Sequence, residues 1–80
     1  MVKEFRHYMA WTDAMRYENG YAGLIGYQGK NADAVAHMLW VIGPNLTSTA
    51  DAEDSADKML EQIQDITRFG KIVYVDGVML

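Results

Sequence analysis

The sequence predicts an α+β fold in which an antiparallel β-meander is packed by one amphipathic helix, with a C-terminal strand. Three observations predict this fold. Apolar residues recur at helical spacing over residues 51–69, a β-branched and aromatic segment follows Gly70, and turn signals divide the first half into short segments. A chain of 80 residues has room for one core, so we expect a single domain over residues 1–80.

The first thirty residues favour strands joined by a tight turn. The pair Asn19-Gly20 is typical of a type I′ hairpin turn, because both residues tolerate positive φ, and it separates residues 15–18 from residues 21–25. The same pair also fits a helix C-cap, and the apolar spacing of residues 3–17 fits a helix as well as a strand. We expect strands here, with the helix as the open alternative.

The next segment, residues 34–43, is apolar nearly throughout and is short enough for a buried strand. A helix capped by Asn31 is the alternative interpretation. Glycine recurs every third residue before this segment, at Gly20, Gly23, Gly26 and Gly29. A phosphate loop needs a helix directly after it, so the interspersed aromatic and aliphatic residues indicate a strand with bulges or close backbone contacts.

An amphipathic helix is predicted over residues 51–69. Hydroxyl caps at Thr47, Ser48 and Thr49 precede it, and Gly70 stands in the position of a left-handed C-cap. The residues expected to pack against the sheet are Ala56, Met59, Leu60, Ile63 and Ile66, with Leu39, Val41 and Val73 opposite them.

The end of the chain predicts two more strands. Residues 71–75 are β-branched and aromatic, and Asp76-Gly77 favours a hairpin turn into Val78-Met79-Leu80. The last three residues would form an apolar edge strand without a charged or proline gatekeeper. Exposed edges of this kind pair with other chains, so we expect a homodimer.

Composition and charge exclude several classes of protein. The chain has no cysteine, lacks the apolar run and cleavage site of a signal peptide, and contains no membrane-spanning stretch, which predicts a cytoplasmic protein. A net charge of −4 opposes direct binding to nucleic acid, because that binding depends on lysine and arginine displacing counterions.

Catalytic and metal-binding residues are not indicated. His7 and His37 stand at no metal-motif spacing, and the chain has no cysteine to complete a tetrahedral set with them. Ser48 lies in no nucleophile elbow, although a triad with His37 and Asp33 can be written. Asp13 and Glu18 are interpreted as surface carboxylates. We therefore expect no enzymatic activity, no cofactor and no metal.

The acidic residues of the predicted helix are the principal candidate for a partner-binding site. Six acids lie between residues 51 and 65 against one lysine, and Asp57, Glu61 and Asp65 follow each other at i, i+4. An ordinary solvated helix face is the alternative interpretation. The partner-binding residues that we predict are Asp54, Asp57, Glu61 and Asp65, with aromatic support from Tyr17 and Tyr21.

Three segments resemble the small phage-encoded anti-CRISPR inhibitors of type I complexes: the opening strand of residues 4–9, the turn of residues 17–20, and the threonine- and acid-rich helix start of residues 47–54. The resemblance implies a cofactor-free cytoplasmic protein that blocks the basic DNA-binding groove of a CRISPR surveillance complex. These inhibitors share no motif, so no contact residue is carried over. A small regulatory or ligand-sensing α+β domain of the host is the alternative function.

Overall fold

The described part of the chain is residues 1–75 of a computed structural model. It contains, in order, β1 (Val2–Glu4), β2 (Tyr8–Tyr17), β3 (Gly20–Gly29), β4 (His37–Val41), α1 (Thr49–Glu61), β5 (Ile63–Ile66) and β6 (Ile72–Tyr74). Strands β1 to β4 form an antiparallel sheet in that order, and β5 and β6 form a separate antiparallel hairpin. Helix α1 packs across β2 and β3. The predicted α+β fold is confirmed.

The hairpin between β2 and β3 was predicted in the right place with the wrong turn residues. Tyr17 pairs with Gly20, which leaves Glu18 and Asn19 as the two loop residues. Positive φ falls on Glu18, at 52°, rather than on Asn19 and Gly20, because Gly20 already belongs to the β-ladder. The helical alternative for residues 3–17 is excluded by the pairing of β1 and β2.

Strand β4 confirms the strand interpretation of residues 34–43, but the expectation of a buried strand is wrong. Among residues 1–75, β4 pairs only with β3 and so forms an edge of the sheet. Leu39 and Val41 pack against the core, whereas Met38 and Trp40 are about half exposed. The continuous apolar sequence of β4 therefore has one face that packs on the core and one face that is partly exposed to solvent.

Helix α1 is shorter than predicted, because residues 63–66 form a strand. It begins after the N-cap Ser48, whose side chain accepts a hydrogen bond from the Asp51 amide, and it ends at Glu61. The pairing with β6 shifts register between Ile63 and Asp65, as in a β-bulge. The extra residue allows Ile63 and Ile66, three positions apart, to be buried together, which reproduces the apolar spacing of a helix.

The β5–β6 hairpin explains the glycine that was predicted to be a helix C-cap. Gly70 does adopt positive φ, at 82°, but it lies in the hairpin loop, where its amide donates to the Thr67 carbonyl. On β6, Ile72 and Tyr74 contact the core and Val73 does not, as strand alternation requires. The predicted turn at Asp76-Gly77 and the strand of residues 78–80 lie outside the described residues.

The core lies between the sheet and α1, and the β5–β6 hairpin closes one end of it. Its buried residues are Phe5, Ala10, Ile25, Ala56, Leu60, Ile63, Ile66 and Ile72, with Met59 partly buried beside them. The helix approaches β3 closely at Gly23, where a Cβ atom would lie 2.5 Å from the Ala52 carbonyl oxygen. No helix within residues 1–75 is long and apolar enough to cross a membrane.

Candidate functional site

The outward side of α1 carries a charged row, which we call the helix stripe: Asp51, Asp54, Lys58 and Glu61. These residues recur at spacings of three and four, so they lie on one side of the helix, and all four are exposed. Lys58 Nζ lies 3.1 Å from Asp54 Oδ2. The stripe therefore contains three acids interrupted by one lysine, instead of an unbroken acidic row.

Asp51 at the start of the stripe is held by the helix cap. Its carboxylate accepts a 2.9 Å hydrogen bond from the Thr47 hydroxyl, and its amide donates to Ser48 Oγ at 3.1 Å. The hydrogen bonds with Thr47 and Ser48 lower the pKa of Asp51 below its usual value. This end of the helix keeps its negative charge at neutral pH.

Asp57, the first acid of the predicted i, i+4 row, points toward the sheet. Its Oδ1 atom accepts a hydrogen bond of 2.5 Å from Thr12 Oγ1 and lies 3.8 Å from the amino group of Met1. Its side chain is only 34% exposed. Asp57 therefore joins α1 to β2 and does not stand in line with Asp54 and Glu61.

Asp65, the last of the predicted acids, lies on β5 and not on the helix. Its partner across the hairpin is Val73, and its side chain is partly buried. The predicted i, i+4 row of Asp57, Glu61 and Asp65 is therefore wrong, because the helix ends before Asp65. Of the four predicted acids, only Asp54 and Glu61 share the helix stripe.

The two predicted tyrosines lie near each other, at the end of the β2–β3 hairpin. Tyr17 and Tyr21 line a cleft of about 360 Å³, and Thr47, the residue that binds Asp51, lines the same cleft. The Tyr17 ring lies 5.7 Å from the Trp40 ring, centroid to centroid. The tyrosines thus lie close to Asp51, at the start of the helix stripe. Glu61, at the other end of the stripe, is separated from Asp51 by a helical rise of about 15 Å.

The sheet has a second face, which points away from α1 and which we call the open face. Strand register places these apolar residues on it: Val2, Met9, Trp11, Met15, Tyr17, Ala22, Leu24, Met38 and Trp40. Gly26 lies beneath the indole of Trp11, where any Cβ atom would overlap the ring. Ala22 and Leu24 are buried, while Val2, Met38 and Trp40 are at least 49% exposed.

Sequence reasoning predicted Tyr17 and Tyr21 as aromatic residues that contact a partner, but it did not find the open face. The signal was present in β2, where Met9, Trp11 and Met15 alternate with Ala10 and Ala14. Both sides of that strand are apolar, although only one side can face the helix. The apolar spacing of this segment also fits a helix, and only the strand register in the structure distinguishes the two.

A group of basic residues, also missed by sequence reasoning, lines a cleft of about 580 Å³ between the β1–β2 turn, the start of the β3–β4 connection and the β5–β6 loop. We call it the basic cleft; its residues are Arg6, His7, Tyr8, Gly29, Lys30, Asn31 and Arg68. Lys30 forms an ion pair with Glu4, which lowers the pKa of Glu4 below its usual value. Within residues 1–75, no carboxylate lies within 4.0 Å of Arg6 or Arg68.

The residues considered for catalysis have structural contacts or are exposed. Ser48 Oγ accepts the hydrogen bond of the helix cap, and the His37 ring stacks on Tyr27 at 5.2 Å. His7 is exposed, as are Asp13 and Glu18. Within the described residues, no three histidine or acidic side chains are grouped so that they could hold a metal ion.

Comparisons of the chain with protein-family models, with curated proteins and with solved structures find no match.

Proposed function

We propose that this protein is a non-enzymatic inhibitor that docks its helix stripe on a basic surface of a larger nucleic-acid-binding complex. The carrying observation is the exposed position of Asp51, Asp54 and Glu61 on one side of α1. A type I CRISPR surveillance complex is the partner that the sequence resemblance implies. The proposal includes action in the cytoplasm, no cofactor and no direct contact with nucleic acid.

Charge distribution supports this proposal. The chain has a net charge of −4, and the stripe presents three carboxylates against the single Lys58. Opposite charges on two partners accelerate their encounter and orient it before contact. A basic groove that normally binds phosphates would attract this side of the molecule first.

Lys58 gives the proposal a specific consequence. Its ammonium group neutralises Asp54 and repels a basic partner, so Lys58→Gln should tighten binding to that partner. Salt should weaken the wild-type interaction steeply, since exposed charges are screened within about 8 Å at physiological ionic strength. Both effects depend on the partner being basic.

The test measures competition with double-stranded DNA for a purified type I surveillance complex. We expect the wild-type protein to reduce DNA binding, and we expect Asp54→Lys with Glu61→Lys to abolish that effect. Asp33→Lys with Asp13→Lys is the matched control, because both residues are exposed acids outside the helix. Unchanged competition by the Asp54/Glu61 variant would contradict the proposal, as would a wild-type protein without effect on the complex.

The ligand-sensing alternative is favoured by a different observation, the basic cleft. Arg6 and Arg68 line it without a carboxylate partner among residues 1–75, which suits a small anionic ligand. Thermal denaturation in inorganic phosphate or pyrophosphate, at constant ionic strength, tests this function. A rise in Tm that Arg68→Gln removes would support ligand sensing, and an unchanged Tm would argue against it.

A further inference from the structure

We propose that the open face is the interface of a homodimer, in which a second copy of the chain packs sheet against sheet. The exposed fractions of Val2, Met38 and Trp40 are 68%, 50% and 49%. Trp40 pairs across the sheet with the buried Leu24, and Met38 lies two residues before Trp40 on the same face of β4. Tryptophan and methionine are enriched in interface cores. This inference does not depend on the proposed function, because the helix stripe lies on the opposite layer.

The charges of the open face permit burial against a second copy. None of the residues that strand register places on this face is lysine or arginine. Its two acids are Glu4, which is paired with Lys30, and Asp13, which lies beyond the residues of β2 that β1 covers. Asp13 is the cross-strand neighbour of Leu24, but no described strand lies on its other side. Its exposed carboxylate therefore lies at the sheet edge, where it can stay hydrated when a second copy binds.

The area of the open face approaches what a specific interface needs. Its strands contain 3, 10, 10 and 5 residues. With a rise of about 3.4 Å per residue and a strand spacing of about 4.8 Å, they cover about 450 Å² in projection. Two such faces give a projected area of about 900 Å², and the uneven surface of the side chains adds to the area that is buried. A specific interface buries at least about 1,000 Å² in total. This size is typical of weak, reversible association.

Packing through the open face also keeps the acidic helix stripes of the two copies apart. Packed sheets lie about 10 Å apart, and each carries its helix on the outer side. The two helix stripes would then face outward, separated by more than the screening length of about 8 Å at physiological salt. Residues 76–80 do not suffice as the covering element, because five residues extend at most about 18 Å.

The test is the mass of the full chain in solution over a concentration range from about 1 to 500 μM. We expect the mass to rise from 9.0 kDa toward twice that value. Trp11 and Trp40, the two tryptophans of the chain, both lie on the open face, so their emission should shift to shorter wavelength as the mass rises. Met38→Lys with Trp40→Lys should weaken self-association by at least about 30-fold.

Two controls make this test specific. Phe69→Lys changes an 84% exposed aromatic residue in the β5–β6 loop and should leave the dimer intact. A chain that ends at Val75 should also dimerise. The inference is overturned if the wild-type chain stays at 9.0 kDa throughout, if the Met38/Trp40 variant is folded and still dimeric, or if loss of residues 76–80 abolishes the dimer.

Discussion

Thr12 Oγ1 donates a hydrogen bond of 2.5 Å to Asp57 Oδ1 and so joins the second strand of the sheet to the middle of the helix. The amino group of Met1 lies 3.8 Å from the same carboxylate oxygen and also donates to Thr12 Oγ1 at 3.1 Å. An acid predicted to meet a partner is thus used to fix the helix on the sheet. This arrangement separates the stabilising acid of α1 from the exposed acids of the helix stripe.

Replacement of Asp57 should affect stability more than partner binding. We expect Asp57→Ala to lower the free energy of unfolding by about 1 kcal/mol, because Thr12 loses a charged acceptor in a partly exposed site. Asp54→Ala, on the helix stripe, should change it by less than about 0.5 kcal/mol. Urea denaturation followed by circular dichroism measures both; equal effects of the two variants would contradict the structural role of Asp57.

Lys3 stabilises the junction at which the helix ends and β5 begins. Its ammonium group donates to the carbonyl oxygens of Leu60, Glu61 and Ile63, at 3.3, 3.4 and 2.6 Å. The Leu60 and Glu61 carbonyls lie at the negative end of the helix dipole, and the Ile63 carbonyl belongs to the first residue of β5. Lys3→Met keeps the apolar stem and removes the donors, so we expect a loss of about 1–2 kcal/mol in unfolding free energy.

The matched control for Lys3 is Lys58→Met. Lys58 forms an exposed i, i+4 pair with Asp54, and such pairs contribute only about 0.3–0.5 kcal/mol. Amide hydrogen exchange locates the effect: protection should fall in residues 60–66 of the Lys3 variant and stay unchanged in the Lys58 variant. If Lys3→Met leaves both stability and exchange unaltered, the proposed role of Lys3 at the helix end is incorrect.

Gly23 allows the helix to approach β3. A Cβ atom there would lie 2.5 Å from the Ala52 carbonyl oxygen and 3.0 Å from Ala56 Cβ, so Gly23→Ala must displace backbone. We expect a loss of about 1–3 kcal/mol, measured by chemical denaturation. Gly43→Ala is the control, because its Cβ atom would meet nothing closer than Leu46 Cγ at 4.0 Å. A Gly23 variant as stable as the wild type would show that the helix can move away at little cost.

Leu60 tests the buried side of the helix. It is fully buried in the core, so Leu60→Ala should cost about 2–5 kcal/mol, and Leu60→Asp should unfold the protein because it buries an unpaired carboxylate. Phe69→Ala, at an exposed position, should have little effect. Thermal denaturation measures all three variants, and an unchanged Tm for Leu60→Asp would mean that the assigned helix face is wrong.

The ion pair between Glu4 and Lys30 should make stability depend on pH at the acidic end. The hydrogen bond and charge of Lys30 lower the pKa of Glu4 in the folded protein. A carboxyl group with a lowered folded pKa contributes stability above its unfolded pKa and loses it as the pH falls through the folded value. The Tm difference between wild type and Glu4→Gln should therefore be present at pH 7 and vanish under strongly acidic conditions.

The control for this titration is Glu53→Gln, at an exposed helix carboxylate that no ion pair of the described residues holds. Its Tm difference from the wild type should show less dependence on pH over the same range. A Glu4→Gln difference that persists unchanged at low pH would exclude the ion pair as its source.

Local sequence signals predicted the features that depend on neighbouring residues alone. The helix cap was predicted within the hydroxyl residues Thr47, Ser48 and Thr49, of which Ser48 is the cap in the structure, and the β2–β3 hairpin was predicted from the pair Asn19-Gly20. Positive φ at Gly70 was also predicted, although the glycine serves a hairpin loop rather than a helix end. Such signals report the backbone conformation that a residue accepts, not the element that uses it.

The sequence by itself therefore determined the fold class, the start of the amphipathic helix and the strand that follows Gly70, because local propensity and apolar periodicity specify these. Tertiary structure alone decided the rest. Pairing with β6 makes residues 63–66 a strand, and the bulge in this pairing lets both Ile63 and Ile66 face the core. The hydrogen bond from Thr12 holds the Asp57 side chain toward the sheet. Strand register collected Trp11, Met38 and Trp40 on one open face. These outcomes depend on contacts between residues distant in sequence, which no local pattern specifies.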